Sequence, residues 1–574
     1  MEKRVLLAVV LSFVVLYGFQ AMFPPPEPPA PVTQGESPST GQAVPAPAPG
    51  GEAAQPVEAN PQPAQVPVVG GAAEQEISFE NGSVRAVFSN RGGVIKSWRL
   101  KKYMDAANEW QELVPQDLPG EQIRPLTLSV DDPALSKVVA TALYRPSATS
   151  VDVTSAPQTL TFEYQGADGL SVRKELAFHP DSPYVIHVTA SVRRGTEELN
   201  PIVHWGPAIG SATPPDASGY NATSRPIYYT NGDVERIGTS DVASVAKQEG
   251  TYGFAGVDDH YFLSSTVNPP APLKLNYGVV QAPPLPSGDP APPYVTWSVR
   301  YPAPPSGAAF FFGPKDFDVL AAVDRDLVRA IHFGIFSWLV VPLLRALKWV
   351  NTYIGNYGWS IIALTVLINL AMFPLRHKSV VSMRKMQEIQ PEVKAIQDRY
   401  AKLKMTDPAR QKMNTEMMEL YKQRGVNPVS GCLPMLLTLP VLFAFYAMLS
   451  VAIELRGAPF VGWIRDLSTY DPLFITPVLM GLTQFVQTKM TPSTMDPTQQ
   501  RVMMLMPLIF MFMFIWAPSG LVLYWTVSNL WAIGQQAVTN KIIGKVPEHK
   551  VRPPAERRIK AAGGGRTESA KERK

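Results

Sequence analysis

Hydrophobic and polar residues follow three different patterns along this chain, and each pattern predicts a different kind of structure. Residues 5–23 contain no charged residue and are numerous enough for a helix to cross a hydrocarbon layer of about 30 Å. From 75 to 315, apolar residues alternate with polar ones in short runs, as at 84–88 (VRAVF) and 171–178 (SVRKELAF). Beyond residue 315, long apolar runs predominate. The pattern therefore predicts a membrane anchor, an all-β domain and a helical membrane region, in that order.

The first apolar segment has two interpretations. It follows a short charged stretch at 2–4, which is compatible with a membrane anchor and with a cleaved signal peptide. We favour an uncleaved anchor over 1–23, because the apolar run is longer than a typical signal-peptide core and no small-residue cleavage site precedes Pro24. Residues 24–74 are rich in Pro, Ala, Gly and Gln, a composition that predicts a semi-extended linker.

The alternating region at 75–315 predicts a β-sandwich, since its short runs are separated by Gly, Pro, Asn and Asp. Asp258, Asp259 and His260 are of metal-ligand types, but three adjacent residues in a strand or turn rarely converge on one ion. We therefore predict a structural role for them and no bound metal. The chain has a single cysteine, Cys432, which excludes an intramolecular disulfide.

The helical region begins with a basic, aromatic and amphipathic stretch at 322–351, which is typical of a helix lying in the membrane interface. Five apolar segments follow and, together with the anchor, predict six membrane spans. The last two are joined by a tight loop at 517–520, so they should form a hairpin. The five segments are 356–376, 428–452, 472–490, 502–518 and 519–540.

Lys and Arg determine the predicted orientation, because cytoplasmic loops carry an excess of them. The segment at 377–427 and the tail at 541–574 are rich in both, whereas the loop at 453–471 carries only Arg456 and Arg465. Both termini are then cytoplasmic, and the β domain lies in the periplasm of a bacterium with two membranes. Apolar residues in the cytoplasmic segment recur every three or four positions, which predicts an antiparallel helical hairpin. They are Met386, Ile389, Val393, Ile396, Tyr400 and Leu403, then Met413, Met417 and Leu420.

Polar residues inside the predicted spans are candidates for function, because a polar group in lipid is costly. Their alternative role is hydrogen bonding between helices, typically about 0.6 kcal/mol each. Arg376 lies seven residues beyond Asn369, close to the same helix face, and serves either as a cytoplasmic anchoring charge or as a charge of the polar site. We favour the anchoring role. The polar set is Thr365, Asn369, Thr438, Gln484, Gln487, Ser528, Asn529, Gln535 and Gln536.

Catalytic chemistry is disfavoured by what these segments lack. They contain no Ser/His pair, no paired Asp and no HExxH motif, and the chain has no GxxxxGK phosphate loop. The sequence therefore predicts neither an enzyme nor an ATP-driven pump, and it predicts no cofactor. A polar cavity lined by neutral groups and open towards a basic cytoplasmic face is the arrangement that remains.

Four short motifs of the helical region carry a family resemblance. They are 356–362 (NYGWSII), 372–375 (MFPL), 427–437 (NPVSGCLPMLL) and 518–530 (PSGLVLYWTVSNL), the last followed by Gln535 and Gln536. These motifs resemble the second, third and last spans of the YidC/Oxa/Alb membrane protein insertases. The resemblance to the conserved core covers about 325–545. The anchor, linker and large β domain resemble the type found in bacteria with two membranes.

The resemblance implies a polytopic α-helical membrane protein of six spans, with a five-helix insertase core, a cytoplasmic helical hairpin and a periplasmic all-β supersandwich domain. It implies an ATP-independent insertase and chaperone of inner-membrane proteins. The implied partners are nascent membrane proteins, the ribosome through the basic tail and cytoplasmic loops, the Sec translocon and anionic lipids, with no DNA. The implied polar groove comprises Thr365, Asn369, Thr438, Gln484 and Ser528, and the implied hydrophobic slide comprises Leu439, Pro440 and Met513.

Two positions depart from the common pattern of that family. The groove arginine usual in the second span aligns with Asn369, and the polar residue usual in the third span, often Gln, is Thr438. One hypothesis is that insertion depends less on acidic residues in the translocated segment than in arginine-bearing relatives. The other is that Arg376 substitutes for the missing charge. Two further classes stay open: a solute transporter with an external sugar-binding domain, although no internal repeat is evident, and a passive assembly scaffold.

Overall fold

The computed structural model describes residues 69–105, 108–116, 118, 122–207, 209, 224–281, 293–400, 409–425, 433–491 and 497–543. The predicted anchor at 1–23, the linker up to residue 68 and the tail beyond residue 543 lie outside these ranges. Leu403 and Cys432 also lie outside them.

Short strands follow one another through the first part of the described chain, up to residue 314. In chain order they are β1 (Glu76–Glu80), β2 (Val84–Ser89), β3 (Val94–Met104), β4 (Trp110–Glu112), β5 (Thr127–Ser129), β6 (Arg145–Pro146), β7 (Ser150–Asp152), β8 (Gln158–Gln165), β9 (Leu170–Phe178), β10 (Val185–Arg194), β11 (Glu197–Leu199), β12 (Ile202–Pro207), β13 (Arg225–Thr230), β14 (Asp233–Arg236), β15 (Lys247–Gly250), β16 (Phe254–Asp258), β17 (Phe262–Thr266), β18 (Leu273–Val280), β19 (Tyr294–Arg300) and β20 (Ala308–Pro314).

Within the described residues these strands form three sheets. The large sheet has the order β14-β13-β16-β17-β20-β10-β9-β8-β6, with β11 paired to β10. The two smaller sheets have the orders β4-β3-β2-β1-β7 and β15-β18-β19-β12-β5. Neighbouring strands are antiparallel, as in β9 and β10, apart from the parallel pair β1 and β7. Since many of these pairings join strands far apart in the chain, no local pattern specifies them.

Aromatic side chains of β20 hold the smaller sheets against the large one. Phe312 packs on Trp98 of β3 with 5.7 Å between ring centroids, and Trp98 Nε1 donates to the Phe312 carbonyl at 3.0 Å. Phe310 lies on the same side of the strand, two residues earlier, and stacks on Trp205 of β12 at 5.2 Å. All four rings are buried. The smaller sheets therefore cover one face of the large sheet, which confirms the predicted β-sandwich.

Helices make up the second part of the described chain. One helix, α1 (Pro133–Thr141), lies within the β domain. The others are α2 (Phe317–Val323), α3 (Ser337–Ile354), α4 (Tyr357–Tyr400), α5 (Ala409–Gln423), α6 (Leu433–Val451), α7 (Ile475–Met490), α8 (Pro497–Met513) and α9 (Ser519–Ile543). Short 3₁₀ turns occur at Thr239–Val245, Leu327–Ala330, Gly334–Phe336 and Ile453–Leu455.

The interfacial helix predicted at 322–351 is divided in the structure, which corrects that prediction. α2 ends at Val323, and Asp324 is extended with φ −159° and ψ 142°. Gly334 adopts φ +66°, a conformation that is open to glycine and that a continuing α-helix does not contain. The amphipathic helix therefore begins only at Ser337. From there it exposes Trp338 and buries the apolar residues of its other face.

α4 is a single helix of 44 residues, about 66 Å long, so it continues without a break past the predicted boundary at residue 376. Of the described helices it alone is long and apolar enough to cross a membrane, while the apolar stretches Leu439–Val451 and Val502–Met513 are shorter. The predicted six spans stay a prediction. The C-terminal part of α4 packs against α5, where Ile389 and Val393 meet Met417, Leu420 and Tyr421.

α9 lies between α4 and α7 and also contacts α6. Tyr524 of α9 stacks on Phe445 of α6 with 4.2 Å between ring centroids. The first residues of α9 are fixed by the loop before α7, since the Gly520 amide donates to the Leu467 carbonyl at 2.9 Å. A Cβ on Gly520 would lie only 3.2 Å from that carbonyl oxygen, so glycine permits the close approach. The polar residues of α9 are consequently held between two neighbouring helices.

Candidate functional site

Thr365, Asn369 and Arg376 form a hydrogen-bonded series along one side of α4. Thr365 Oγ1 donates to the Ile361 carbonyl at 2.6 Å, and Asn369 Nδ2 donates to the Thr365 carbonyl at 2.8 Å. Arg376 Nη1 then donates to Asn369 Oδ1 at 2.6 Å. Residues four and seven apart share a helix face, so the spacing in the sequence accounts for the series. Thr365 and Asn369 are both buried.

Arg376 carries a charge that no carboxylate balances within the described residues. No described Asp or Glu lies within 4.0 Å of its guanidinium, and its hydrogen bond is to a neutral amide. Beside it, His377 Nδ1 is buried and has no hydrogen-bond partner in the described structure. A half-buried cation with a neutral partner is costly to maintain, and an anionic guest would relieve that cost. The sequence favoured an anchoring charge, whereas the contact with Asn369 joins Arg376 to the polar site.

A row of polar atoms on α9 is buried without partners. They are the Ser528 hydroxyl, both amide atoms of Gln535 and the Thr539 hydroxyl, none of which has a hydrogen-bond partner within the described residues. The spacings of seven and four residues place all three side chains on one face of α9. Each unpaired buried group costs roughly 1–3 kcal/mol. Such a row indicates a place where water or a polar guest supplies the missing partners.

α7 contributes the other polar wall. Gln484 Oε1 accepts a hydrogen bond from Trp525 Nε1 of α9 at 3.0 Å. Thr483 Oγ1 accepts one from Asn529 Nδ2 at 3.2 Å. One turn beyond Gln484, the Gln487 Oε1 atom is buried and unpaired in the described structure. The polar residues of α4, α7 and α9 are therefore gathered at one helix junction, and Ser528 and Gln484 belong to it as the sequence predicted.

The sequence analysis missed a polar contact at the far end of the same junction. Arg384 of α4 is only 7% exposed, and its Nη2 donates to Asn540 Oδ1 of α9. Gln536 Nε2 donates to the same Asn540 oxygen at 2.8 Å. Arg384 lies eight residues beyond Arg376, so its helix position could have been noticed. Its partner is 156 residues away, and no spacing rule would have found it.

The residues of the predicted slide lie on two helices. Leu439 and Pro440 are half-buried on α6, and Met513 is 57% exposed at the end of α8. The main chain of Thr438 belongs to α6, but its side chain lies outside the described part of the structure. Around Met513, α8 exposes a broad apolar surface, which marks a contact with lipid or with an apolar partner. Its members are Leu505, Leu508, Ile509 and Phe512.

Asp258 shows why the acidic cluster in the β domain is not a metal centre. Its buried carboxylate pairs with Lys315 at 3.0 Å and with Arg225 and Arg236 at 3.3 Å. Burial alone would raise the pKa of this carboxyl, but the three cations outweigh that effect and hold its pKa below the ordinary value. Within the described residues no group of three or more His, Cys, Asp or Glu could hold a metal ion.

A β-sandwich joined to helices that enclose a polar junction, one of them long enough to span a bilayer, defines a membrane protein with a large extramembrane domain. Residues 76–346 match the family model described as the YidC periplasmic domain, and residues 349–546 match the one described as the 60Kd inner membrane protein. The chain belongs to the YidC family of membrane protein insertases.

Relatives match nearly the whole chain. The membrane protein insertase YidC of Geobacter metallireducens is 37% identical over 568 residues, which cover 95% of this chain and 99% of the relative. That of Syntrophus aciditrophicus is 36% identical over 565 residues, which cover 94% and 100%. A crystal structure of an active YidC insertase with its first transmembrane domain resolved aligns with 83% of this chain and 95% of its own, at 17% identity and a TM-score of 0.33.

Proposed function

We propose that this protein inserts proteins into the bacterial inner membrane and assists their folding, without ATP, through a polar groove between α4, α7 and α9. Membership of the family supports the insertion activity, since the relatives named above are membrane protein insertases. The observation that carries the groove is the row of unpaired polar atoms at Ser528, Gln535 and Thr539. These atoms offer hydrogen bonds that the folded chain itself leaves unused.

The groove lowers the barrier for moving a polar segment into the membrane. A backbone or side-chain polar group without a partner in hydrocarbon costs several kcal/mol. The α9 row and the amide of Gln487 supply partners part-way across, so the segment never loses all of its hydrogen bonds. The apolar part of the substrate leaves along the slide formed by Leu439, Pro440 and Met513 and enters lipid. No bond is made or broken in this scheme, and the protein is not an enzyme.

Arg376 provides the groove charge in this proposal, in place of the arginine that relatives carry where this chain has Asn369. Its hydrogen bond to the Asn369 amide supports this role, because the guanidinium reaches back along α4 to the polar junction. An acidic residue in a translocated segment would find there a cation that no described carboxylate neutralises. The attraction is strong because the surroundings are largely apolar.

The predicted topology belongs to the same proposal. The anchor at 1–23 and the segments at 356–376, 428–452, 472–490, 502–518 and 519–540 cross the membrane, with both termini inside. The length of α4, about 66 Å against a hydrocarbon layer of about 30 Å, supports a helix that leaves the membrane and continues into the cytoplasmic hairpin. The β domain is periplasmic. Nascent membrane proteins are the substrates; the ribosome, the Sec translocon and anionic lipids are the proposed partners.

Insertion of a single-span substrate into liposomes that contain the purified protein tests the groove. The substrate's translocated end becomes protected from added protease when insertion succeeds. We would compare Ser528→Ala/Thr539→Val, which removes two unpaired hydroxyls, with Thr526→Val/Thr488→Val, which removes two hydroxyls bonded to carbonyls of their own helices. Because hydroxyls without partners destabilise the fold, their removal should raise stability while insertion falls about tenfold.

Three outcomes decide between the candidate functions. Protection by the parent and by the control pair, with loss in the Ser528/Thr539 pair, supports an insertase that works through this groove. Equal protection by both pairs keeps the insertase and removes the α9 row from its mechanism. A folded parent that protects nothing favours a passive scaffold or a transporter.

A further inference from the structure

The β domain contacts the helical region directly at the end of α6. The Ser450 carbonyl, in the last turn of that helix, lies 2.7 Å from His260 Nε2. A carbonyl only accepts, so this ring nitrogen carries the hydrogen and donates it. His260 belongs to the turn between β16 and β17, in the large sheet. The contact ties the end of α6 to a rigid part of the sandwich.

Arg456, five residues beyond α6, strengthens this contact. Its guanidinium lies 5.4 Å from the ring centroid of Tyr261 and 5.1 Å from that of Phe262, in the same β16–β17 turn. Its Nη2 also donates to Gln111 Oε1 of β4 at 2.7 Å. Phe262 and Gln111 are buried, so the cation is shielded from water and its attraction to the rings is increased. One side chain thus bridges two sheets to the segment that follows α6.

Lys348 of α3 holds the same segment from the other side. Its Nζ lies 3.1 Å from Glu454, 2.5 Å from Asp318 and 3.5 Å from Asp316. Asp316 also caps the start of α2, directly after β20. The segment at 450–456 is therefore clamped between the β domain and α3, and it is anchored at both faces by charged side chains.

We propose that Arg456 is a positioning residue through which the β domain fixes the outer end of α6. α6 carries Leu439 and Pro440, two residues of the proposed slide. Because a helix is stiff along its length, holding its end restricts the tilt of the slide against the groove. The β domain then acts as a brace for this helix as well as a domain joined to it through α2 and α3. The effect on insertion rests on the proposed function, whereas the effect on the position of α6 does not.

Distance measurements between two spin labels test the brace in the full-length protein. In a Cys432→Ser background, labels would be attached at Gln158→Cys on β8 and at Phe443→Cys on α6, both exposed positions. Arg456→Met removes the cation but keeps most of the side-chain length, and we expect a broader distance distribution and insertion slower by about fivefold. Arg456→Lys keeps a cation over the rings and should restore most of both. Arg465→Met is the matched control, since Arg465 is exposed in the same loop.

The readouts separate the brace from the insertase itself. A distribution in Arg456→Met that is as narrow as in the parent would overturn the brace. A broadened distribution with normal insertion would show that positioning α6 does not matter for the activity, which also overturns the proposal. Failure of the unsubstituted parent to insert any substrate would reject the proposed function, and the label distances would still decide whether Arg456 holds α6.

Discussion

The β domain and the helical region differ in how they treat buried polar groups. In the β domain, the fully buried ammonium of Lys174 donates to three backbone carbonyls at 2.7–2.9 Å, and buried Asp258 meets three cations. In the helical region, the half-buried guanidinium of Arg376 has a neutral amide, and α9 aligns unpaired atoms of Gln535 and its neighbours on one face. The β domain uses its buried charges to hold itself together.

Unpaired neutral atoms do occur in the β domain, such as Trp205 Nε1 and Tyr277 Oη, but they are single atoms on separate strands. On α9 they recur at spacings that place them on one face. A single unpaired atom is a local cost of packing, whereas a row along a helix is a surface prepared for hydrogen bonds that are made and lost during work. The comparison teaches that the two regions are adapted to different tasks, one to rigidity and the other to transient contact with a guest.

Asp258→Ala provides the strongest test of the rigid side of this comparison. The substitution leaves three cations around an empty position, and breaking a buried ion pair typically costs about 3–5 kcal/mol. We expect the free energy of unfolding of the β domain to fall by that amount, measured by urea unfolding of the full-length protein with tryptophan fluorescence. Asp131→Ala is the control, because Asp131 pairs with Arg300 while its side chain is 83% exposed. A surface pair contributes about 1 kcal/mol or less. Equal losses would contradict the distinction.

Gln535→Leu tests the other side, with two effects of opposite sign. Replacing an unpaired buried amide by an apolar group of similar size should stabilise the helical region by about 1–2 kcal/mol. The same change should slow insertion several-fold, since the groove loses a donor and an acceptor. Thermal unfolding in detergent and protease protection in liposomes would measure the two effects.

Gln536→Leu is the matched control for that substitution. Gln536 is the neighbouring residue and is equally buried, but its Nε2 donates to Asn540 Oδ1 at 2.8 Å. Its loss should destabilise the helical region by about 1 kcal/mol. If both glutamine variants lost stability alike, Gln535 would be an ordinary structural residue and the row on α9 would carry no function.

Particular residues show how much of this molecule the sequence could predict. The alternation at 171–178 corresponds to β9, and it even places Lys174 among inward-facing residues, because Val172, Leu176 and Phe178 share its side of the strand and all are buried. The assignment of strands to three sheets was beyond reach, since it depends on contacts between distant segments. In the helical region, the spacing from Asn369 to Arg376 anticipated their contact, whereas nothing local joins Arg456 to Tyr261.

Arg376→Gln sharpens the comparison at the groove charge. We expect insertion of a substrate with acidic residues in its translocated segment to fall about tenfold, equivalent to roughly 1.4 kcal/mol, because the attraction of a cation is lost. A substrate with a neutral segment should be affected much less. The measurement is protease protection of both substrates in liposomes, with Arg376→Lys expected to retain most of the activity.

Lys378→Gln separates this effect from a topological one. Lys378 is exposed two residues further along α4, and removing it takes away the same cytoplasmic charge without touching Asn369. If Lys378→Gln and Arg376→Gln reduced insertion equally for both substrates, Arg376 would act as an anchoring charge only. The alternative hypothesis, that Asn369 makes this protein less dependent on acidic residues, would then stand.

The pH dependence of β-domain stability gives the finest test, because it measures how well the folded chain compensates for burying one charge. Burial lowers the pKa of Lys174 to about 7, while an unfolded lysine titrates near about 10.4. Between these values the unfolded chain holds a proton that the folded chain has lost, so the free energy of unfolding should rise with pH, by at most about 1.4 kcal/mol per pH unit. The three carbonyls stabilise the ammonium and reduce that slope. Urea unfolding between pH 7 and 9.5 should show the rise in the parent and in the exposed control Lys274→Met, and Lys174→Met should abolish it. A flat profile in the parent would mean that the carbonyls compensate fully for burial, and the contrast with the unbalanced Arg376 would then be at its largest.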